Sequence, residues 1–191
     1  PCPRSIPKLL LPDESAWSFL QRAQSKPIQL GVPLLDQQLN VKNGDLIELH
    51  GAAQSGKTEW CLLAVSHALL PAQCAGLDIG GRGVSAVYFT NDAKFYLWRL
   101  LQIMESRMLA AARDHLPPGA DADALYARYG GKAAFQEIVR GCLAHLTLYR
   151  CRDGPQFCCT LLAVAQALKR GPEAPEPEVR LVVVDPIGPG A

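Results

Sequence analysis

Gly51-Ala52-Ala53-Gln54-Ser55-Gly56-Lys57-Thr58 is the stretch that decides the fold, because it matches the pattern G-x-x-x-x-G-K-[ST] at every fixed position. In such a P-loop, the glycines let successive backbone N–H groups point at phosphate oxygens. Lys57 is expected to reach the β- and γ-phosphates, and Thr58 to offer its hydroxyl to Mg²⁺. The sequence therefore predicts a nucleotide-binding loop over all eight residues, with Thr58 as a magnesium ligand.

The residues on both sides of the P-loop strengthen this interpretation. Upstream, Asp45–His50 reads as a short apolar strand that runs into the loop. Downstream, Lys57–Leu70 has the length and composition of a helix, which Pro71 ends. A strand, a glycine loop and a helix, in that order, form the context that the motif requires.

Composition limits the class of protein. The chain has 191 residues, 49% of them hydrophobic, which predicts one substantial core. The 19 basic and 18 acidic residues nearly cancel, so any contact with DNA must be local or shared with a partner. The seven cysteines are odd in number and form no C-x-x-C pair, which favours a reducing, intracellular compartment. No apolar run reaches membrane-spanning length, and we expect no membrane partner.

The order of elements along the chain predicts an α/β fold. Helices are expected over residues 13–24, 30–39, 57–70, 95–112, 132–143 and 156–170, and strands over 45–50, 84–90, 145–150 and 179–185. A surface excursion occupies residues 113–131, and a Pro/Glu linker occupies 171–178. The Leu, Val and Ala residues of the 156–170 helix are expected to face inward. Alternating strands and helices predict a mostly parallel sheet with helices on both faces. Because residues 179–184 are apolar except for Arg180, we expect that strand at the buried centre of the sheet.

Two acidic residues complete the predicted site. Asp185 follows four apolar residues at the end of a strand, the usual source of the second carboxylate that holds Mg²⁺ beside a P-loop. The alternative for Asp185 is turn chemistry with Pro186. Asp92 follows the strand that ends at Thr90 and is a candidate to orient or deprotonate an attacking water. Its alternative role is to cap the helix beginning near Ala93.

The absence of two motifs restricts the class of nucleotide that the P-loop is expected to bind. No Asn-Lys-x-Asp run for guanine recognition occurs, and the 113–131 excursion lacks the arginine-rich lid of small-molecule kinases. ATP and Mg²⁺ are therefore the expected cofactors.

The flanks of the P-loop also resemble a known family. Leu30–Leu39 and Gly44–Gly51 are similar to the segment that leads into the P-loop of eukaryotic RecA-like recombinases. Ala86–Asp92 resembles the family's "Y-I-D-T-E" strand, and Phe95–Leu100 its following helix. The Gly-Lys-Thr-Glu run at Gly56–Glu59 is similar to that of a recombinase paralogue. The resemblance covers roughly residues 28–185 and implies a RecA-like P-loop NTPase core.

What this resemblance implies is a role in homologous-recombination repair of DNA double-strand breaks in the nucleus. The implied partners are other recombinase paralogues, the D-type most directly, and the recombinase filament that the complex helps to load. Single-stranded or branched DNA would be reached through the complex, with weak DNA-dependent ATPase activity.

Departures from the family pattern leave alternatives open. Asp92 is one methylene shorter than the family's Glu, and the chain stops at Ala191, before the family's later strands. We therefore expect an N-terminal extension over residues 1–29 and a partial RecA-like ATP-binding domain over 30–191. The alternatives are a non-hydrolysing interaction scaffold with a vestigial P-loop and an unrelated P-loop small-molecule kinase.

Overall fold

A parallel sheet of three strands lies at the centre of the computed structural model, which describes residues 15–24, 27–91, 95–117, 119–170 and 178–185. The helices within these ranges are α1 (Ala16–Gln24), α2 (Pro33–Gln38), α3 (Lys57–Leu69), α4 (Leu97–Arg113), α5 (Ala122–Ala127), α6 (Lys132–Leu143) and α7 (Gly154–Arg170). The strands are β1 (Gln73–Cys74), β2 (Leu77–Asp78), β3 (Ser85–Thr90), β4 (Leu146–Arg150) and β5 (Val179–Val184).

β3 is the central strand and pairs in parallel with both of its neighbours, which gives the order β4-β3-β5. Its β-branched and aromatic residues suit a pleated, buried position, and residues 86–90 are all buried. The register places Tyr88 opposite Leu148 on one side and Val183 on the other. Because all three strands are parallel, their carboxyl ends meet at one edge of the sheet.

Helices cover both faces of the sheet, as the sequence predicted. On one face, α3 and α4 pack against Ala86, Tyr88 and Val183. On the other face, α7 packs through Phe157 and Val164 against the alternate residues of β3. The described residues thus form a mixed α/β architecture that is compatible with the predicted class.

Most predicted elements lie where the sequence placed them. α6 and β5 match their predicted segments to within a residue, and the predicted helix over 95–112 corresponds to α4. The 113–131 excursion contains one short helix, α5. Residues 171–177 of the predicted linker lie outside the described residues, and the domain boundary near residue 30 stays a prediction.

The predicted strand over Asp45–His50 is wrong. No residue of that segment belongs to a strand, and the Leu46 side chain is 95% exposed. The sequence has the right composition, but a strand also needs a neighbour to complete its hydrogen bonds, and no described strand pairs with this segment.

Two expectations about burial are also wrong. β5 pairs only with β3 in the described part of the chain, so it lies at an edge rather than at the centre, and Val182 is exposed. The aliphatic residues of α7 were expected to face inward, but Leu161, Leu162 and Leu168 are exposed. In both cases the apolar residues are present, but the described structure covers only one side of each element.

The loop over residues 71–83 contains a hairpin that was not predicted. β1 and β2 pair antiparallel across Ala75 and Gly76, whose φ angles of 51° and 75° are both left-handed. Two successive left-handed residues are the signature of the type I′ turn that suits short hairpins.

No helix in the described ranges is long and apolar enough to cross a membrane. The cysteines described there, Cys61, Cys74, Cys142, Cys151, Cys158 and Cys159, are free thiols.

A buried polar junction joins the segment before the P-loop to α3 and α4. His67 near the end of α3 is 5% exposed, and its Nδ1 accepts a hydrogen bond of 3.1 Å from Nη2 of Arg107 on α4. The Leu30 N–H donates to Oδ1 of Asp36 at 2.6 Å, which closes the lead-in segment. Gly31 lies against the His67 ring, where an added Cβ would come within 2.3 Å of the ring carbon Cγ.

We predict that Gly31→Ala destabilises the protein by at least about 2 kcal/mol, from left-handed strain and overpacking. The φ of Gly31 is +71°, so the substitution is strained whatever the available space. Gly141→Ala is the matched control, because a Cβ there meets nothing within 4 Å. As a helix-interior change it should stabilise by about 0.5–1 kcal/mol. Urea unfolding followed by circular dichroism measures both, and equal effects would contradict the prediction.

The junction also predicts a pH dependence of stability. Burial, followed by the positive charge of Arg107, lowers the pKa of His67 to about 4 from an ordinary value of 6.5. Between these two pH values the unfolded chain binds more protons than the folded chain, so stability falls as the pH decreases. Above pH 6.5 the neutral His67 carries no such penalty. By the time the pH has fallen to about 4, the free energy of unfolding has decreased by about 3 kcal/mol.

The measurement is the free energy of unfolding across this pH range. His67→Asn keeps an acceptor for Arg107 but cannot titrate, and it should flatten the dependence. His115→Asn, at an exposed histidine, should leave the wild-type slope unchanged. A His67→Asn variant with the wild-type slope would contradict this assignment.

Candidate nucleotide-binding site

The P-loop leads directly into helix α3. Gln54 and Gly56 have left-handed φ angles of 64° and 87°, and Gly56 is the residue immediately before the first helical residue, Lys57. The Ser55 N–H donates to the Ala52 carbonyl at 3.3 Å and closes a turn within the loop. Residues 51–55 are exposed, so a ligand in solution can reach the loop.

Lys57 folds back over the loop that precedes it. Its Nζ donates hydrogen bonds to the carbonyl oxygens of Gly51 at 2.8 Å and Ala52 at 2.7 Å, and to Oγ of Ser55 at 3.4 Å. These acceptors are uncharged, so they hold the ammonium group in place and leave its positive charge uncancelled. The loop thus presents a fixed cation to an incoming anion.

The first turn of α3 adds backbone donors beside this cation. A helix begins with N–H groups that have no partner inside the helix, and Gly56 provides no side chain to cap them. The helix dipole places partial positive charge at the same end. A phosphate group fits both features, and α3, with 13 residues, is long enough for them to act together.

Glu59, also in the first turn of α3, is paired with Arg99 in the first turn of α4. Nε of Arg99 donates to Oε1 and Oε2 of Glu59 at 2.9 and 3.0 Å, and Nη2 also donates to Oε1. The hydrogen bond from Arg99 lowers the pKa of Glu59, so the carboxylate remains ionised and paired. The pair ties two helices together and offsets a negative charge beside the loop.

Asp185 is held at the carboxyl end of β5 by two hydrogen bonds with neighbouring β3. Its N–H donates to the Phe89 carbonyl at 2.9 Å, and its Oδ2 accepts from the Tyr88 hydroxyl at 2.9 Å. The carboxylate also acts on α3, because its charge, after burial, contributes to raising the pKa of Cys61 to about 11. Asp185 is therefore bonded to β3, and its charge reaches the helix that follows the P-loop.

The residues present fit a magnesium ion. Thr58 and Cys61 are three residues apart on α3 and share one face of the helix. Because the Asp185 charge acts on Cys61, we expect Thr58 and Asp185 on the same side of α3. A hydroxyl and a carboxylate are the hard oxygen ligands that Mg²⁺ prefers, and Mg²⁺ usually takes few protein ligands when phosphate supplies others. The described residues contain no cluster of three or more His, Cys, Asp or Glu that would hold a metal alone.

The structure describes all of the predicted site residues except Asp92. Residues 51–56 of the motif form the loop, Lys57 and Thr58 begin α3, and the Asp185 charge acts on Cys61 of that helix. Asp92 lies outside the described residues, so its assignment as a catalytic residue stays a prediction. Tyr88 and Arg99 were missed. A tyrosine in a buried strand needs a partner for its hydroxyl, which is the signal that could have identified Tyr88.

These features define the class of site as a candidate phosphate site at the N-terminus of a helix, with a nearby carboxylate for a metal ion. No protein-family model matches the chain. The chain is homologous to the DNA repair protein XRCC2 homolog of Arabidopsis thaliana, with 26% identity over 183 residues, 92% of this chain and 49% of that protein. It is also 24% identical to DNA repair protein XRCC2 of Mus musculus over 174 residues, 90% of this chain and 51% of that protein.

These matches confirm the resemblance inferred from the sequence. The chain spans about half the length of the curated relatives it matches.

The proximity of Asp185 to α3 predicts the reactivity of Cys61. With a pKa of about 11, only about one Cys61 thiol in a thousand is ionised at pH 8, so alkylation should be slow. Asp185→Asn removes a negative charge that helps to raise the pKa of the thiol, so it should speed Cys61 alkylation roughly severalfold. Mass spectrometry of iodoacetamide-treated protein measures the rate at each cysteine.

Cys142 is the internal reference for this measurement. Burial and nearby Cys74, not Asp185, raise the pKa of Cys142. Faster alkylation of both cysteines in Asp185→Asn would indicate general loosening, and an unchanged rate at Cys61 would contradict the placement of Asp185.

Proposed function

We propose that this chain is the ATP- and Mg²⁺-binding part of a RecA-like recombinase paralogue that acts in DNA repair by homologous recombination. The observation that carries the proposal is the ammonium group of Lys57, fixed across the P-loop at the start of α3. The homologous DNA repair proteins of Arabidopsis thaliana and Mus musculus supply the biological context.

In this proposal each part of the site has a separate task in nucleotide binding. The backbone N–H groups of residues 51–58 surround the phosphates, and Lys57 exchanges its carbonyl partners for oxygens of the β- and γ-phosphates. Thr58 and Asp185 hold Mg²⁺, which neutralises phosphate charge when it is bound. Glu59 is kept from repelling the nucleotide by its pairing with Arg99.

Hydrolysis is a separate part of the proposal. Asp92 is the candidate for orienting the attacking water, and its side chain is shorter than the Glu of the resembled family. Weak, DNA-dependent ATPase activity is the corresponding expectation. Binding therefore rests on the described geometry, whereas hydrolysis rests on the sequence alone.

The cellular part of the proposal follows from homology. The protein is proposed to act in the nucleus within a complex of recombinase paralogues, with the D-type paralogue as its direct partner, and to assist recombinase loading on single-stranded DNA. A net charge of +1 gives the chain little general attraction for DNA. Contact with single-stranded or branched DNA is accordingly assigned to the complex.

Nucleotide binding is tested with a fluorescent ATP analogue and Mg²⁺. Lys57→Ala should weaken binding at least about tenfold, since it removes the only side-chain cation of the motif. Lys132→Ala is the matched control, because it removes the same charge from the exposed first residue of α6, where the ammonium group lies over the Tyr126 ring. A folded wild-type protein that binds no nucleotide would overturn this part of the proposal.

The second candidate function is a non-hydrolysing scaffold, which the shorter Asp92 favours. The two functions predict different outcomes when Lys57→Ala is expressed in cells that lack the endogenous paralogue and resistance to DNA damage is measured. Loss of resistance with unchanged partner co-purification supports the ATP-dependent role. Full resistance and full co-purification in Lys57→Ala support the scaffold, and ATP turnover that neither partner nor single-stranded DNA alters argues against a recombination ATPase.

A further inference from the structure

Tyr88 is a buried tyrosine whose hydroxyl is directed at the candidate metal ligand, Asp185. Its side chain is 1% exposed, and its hydroxyl donates to Oδ2 of Asp185 at 2.9 Å, across 97 positions of the sequence. The register between β3 and β5 explains why Tyr88 and Asp185 are in contact. Tyr88 is opposite Val183 on the neighbouring parallel strand, and Asp185, two residues further on, projects to the same face of the sheet.

The Tyr88 hydroxyl has a fixed position. The ring of Phe95 packs edge-on against the Tyr88 ring, with 5.0 Å between the ring centroids and an interplanar angle of 68°. An ionised carboxylate only accepts hydrogen bonds, so the Tyr88 hydroxyl is the donor to Asp185.

The Asp185 carboxylate is fixed from two directions as a result. Its main chain is held by the N–H bond to the Phe89 carbonyl, and one of its oxygens by Tyr88. The carboxylate also acts electrostatically on Cys61 of α3, the helix that carries Thr58. Tyr88 holds Oδ2, which leaves Oδ1 as the oxygen proposed for a cation bound beside the P-loop.

We propose that Tyr88 is a positioning residue for the magnesium site, holding the Asp185 carboxylate in the orientation that receives Mg²⁺ with the nucleotide. The inference rests on the proposed function. Partners of metal-binding side chains typically change metal affinity by about 10- to 100-fold when they are removed. A single hydrogen bond from an uncharged hydroxyl belongs at the lower end of that range, so the expected loss is about tenfold.

The experiment is a Mg²⁺ titration of fluorescent ATP-analogue binding to the whole protein. Tyr88→Phe keeps the ring and removes one oxygen, and it should raise the half-saturating Mg²⁺ concentration about tenfold. Binding of the analogue in EDTA, where no metal is present, should not change. In an Asp185→Asn background, Tyr88→Phe should have no further effect on the Mg²⁺ requirement.

Tyr129→Phe is the matched control. Tyr129 is also a buried tyrosine, and its hydroxyl donates to the Met108 carbonyl at 2.5 Å within the core. The control removes a comparable buried hydrogen bond and should leave the Mg²⁺ requirement at the wild-type value. A shift of equal size in both variants would mean that general loss of stability, not positioning, is responsible, and would overturn the inference.

A measurement on the wild-type protein covers the case in which Tyr88→Phe does not fold. Paramagnetic Mn²⁺ replaces Mg²⁺ with bound nucleotide, and ring resonances are followed by NMR. Broadening of Tyr88 without broadening of Tyr129 supports the inference, whereas equal broadening or none overturns it. Wild-type protein that binds nucleotide, with an unchanged Mg²⁺ requirement in Tyr88→Phe, overturns this inference alone. Wild-type protein without nucleotide binding overturns the proposed function and the inference together.

Discussion

The parallel pairing of β3 with both β4 and β5 is the interaction on which the rest of the described structure depends. It turns the carboxyl ends of the strands to one edge and so determines where Asp185 emerges. Helix α3 packs against β3 and β5 and begins with the P-loop, which brings the loop and the carboxylate into one region. A slip of one residue in the β5 register would move Asp185 to the opposite face, away from Tyr88.

The parts that the sequence predicted well are those set by local patterns. The apolar periodicity of residues 132–143 requires only a helix with one buried face, and α6 occupies that segment. The composition of β3 likewise predicts a buried strand wherever its neighbours lie. The P-loop could be identified because its glycines are required by the local backbone conformation. Gly56, for example, has the left-handed conformation that glycine adopts without strain.

The parts that could not be predicted depend on distant residues. Segment 45–50 has strand composition, but only a neighbouring strand could complete it, and composition does not reveal the neighbour. The exposure of Leu162 on α7 depends in the same way on what packs over the helix. Within the site, the Glu59–Arg99 and Tyr88–Asp185 contacts join residues 40 and 97 positions apart. Their partners follow from helix packing and strand register, and no motif encodes either.

The charges around the P-loop form a consistent arrangement once these distant contacts are included. Two carboxylates of the described site have partners other than Lys57, since Arg99 holds Glu59 and the Tyr88 hydroxyl holds Asp185. Among the described residues, Lys57 itself is held by uncharged oxygens. A lysine paired with a carboxylate would have to break an ion pair before it bound phosphate. Because Lys57 would exchange only neutral acceptors, its charge stays available for an anion, and this electrostatic separation favours phosphate binding over a purely structural turn.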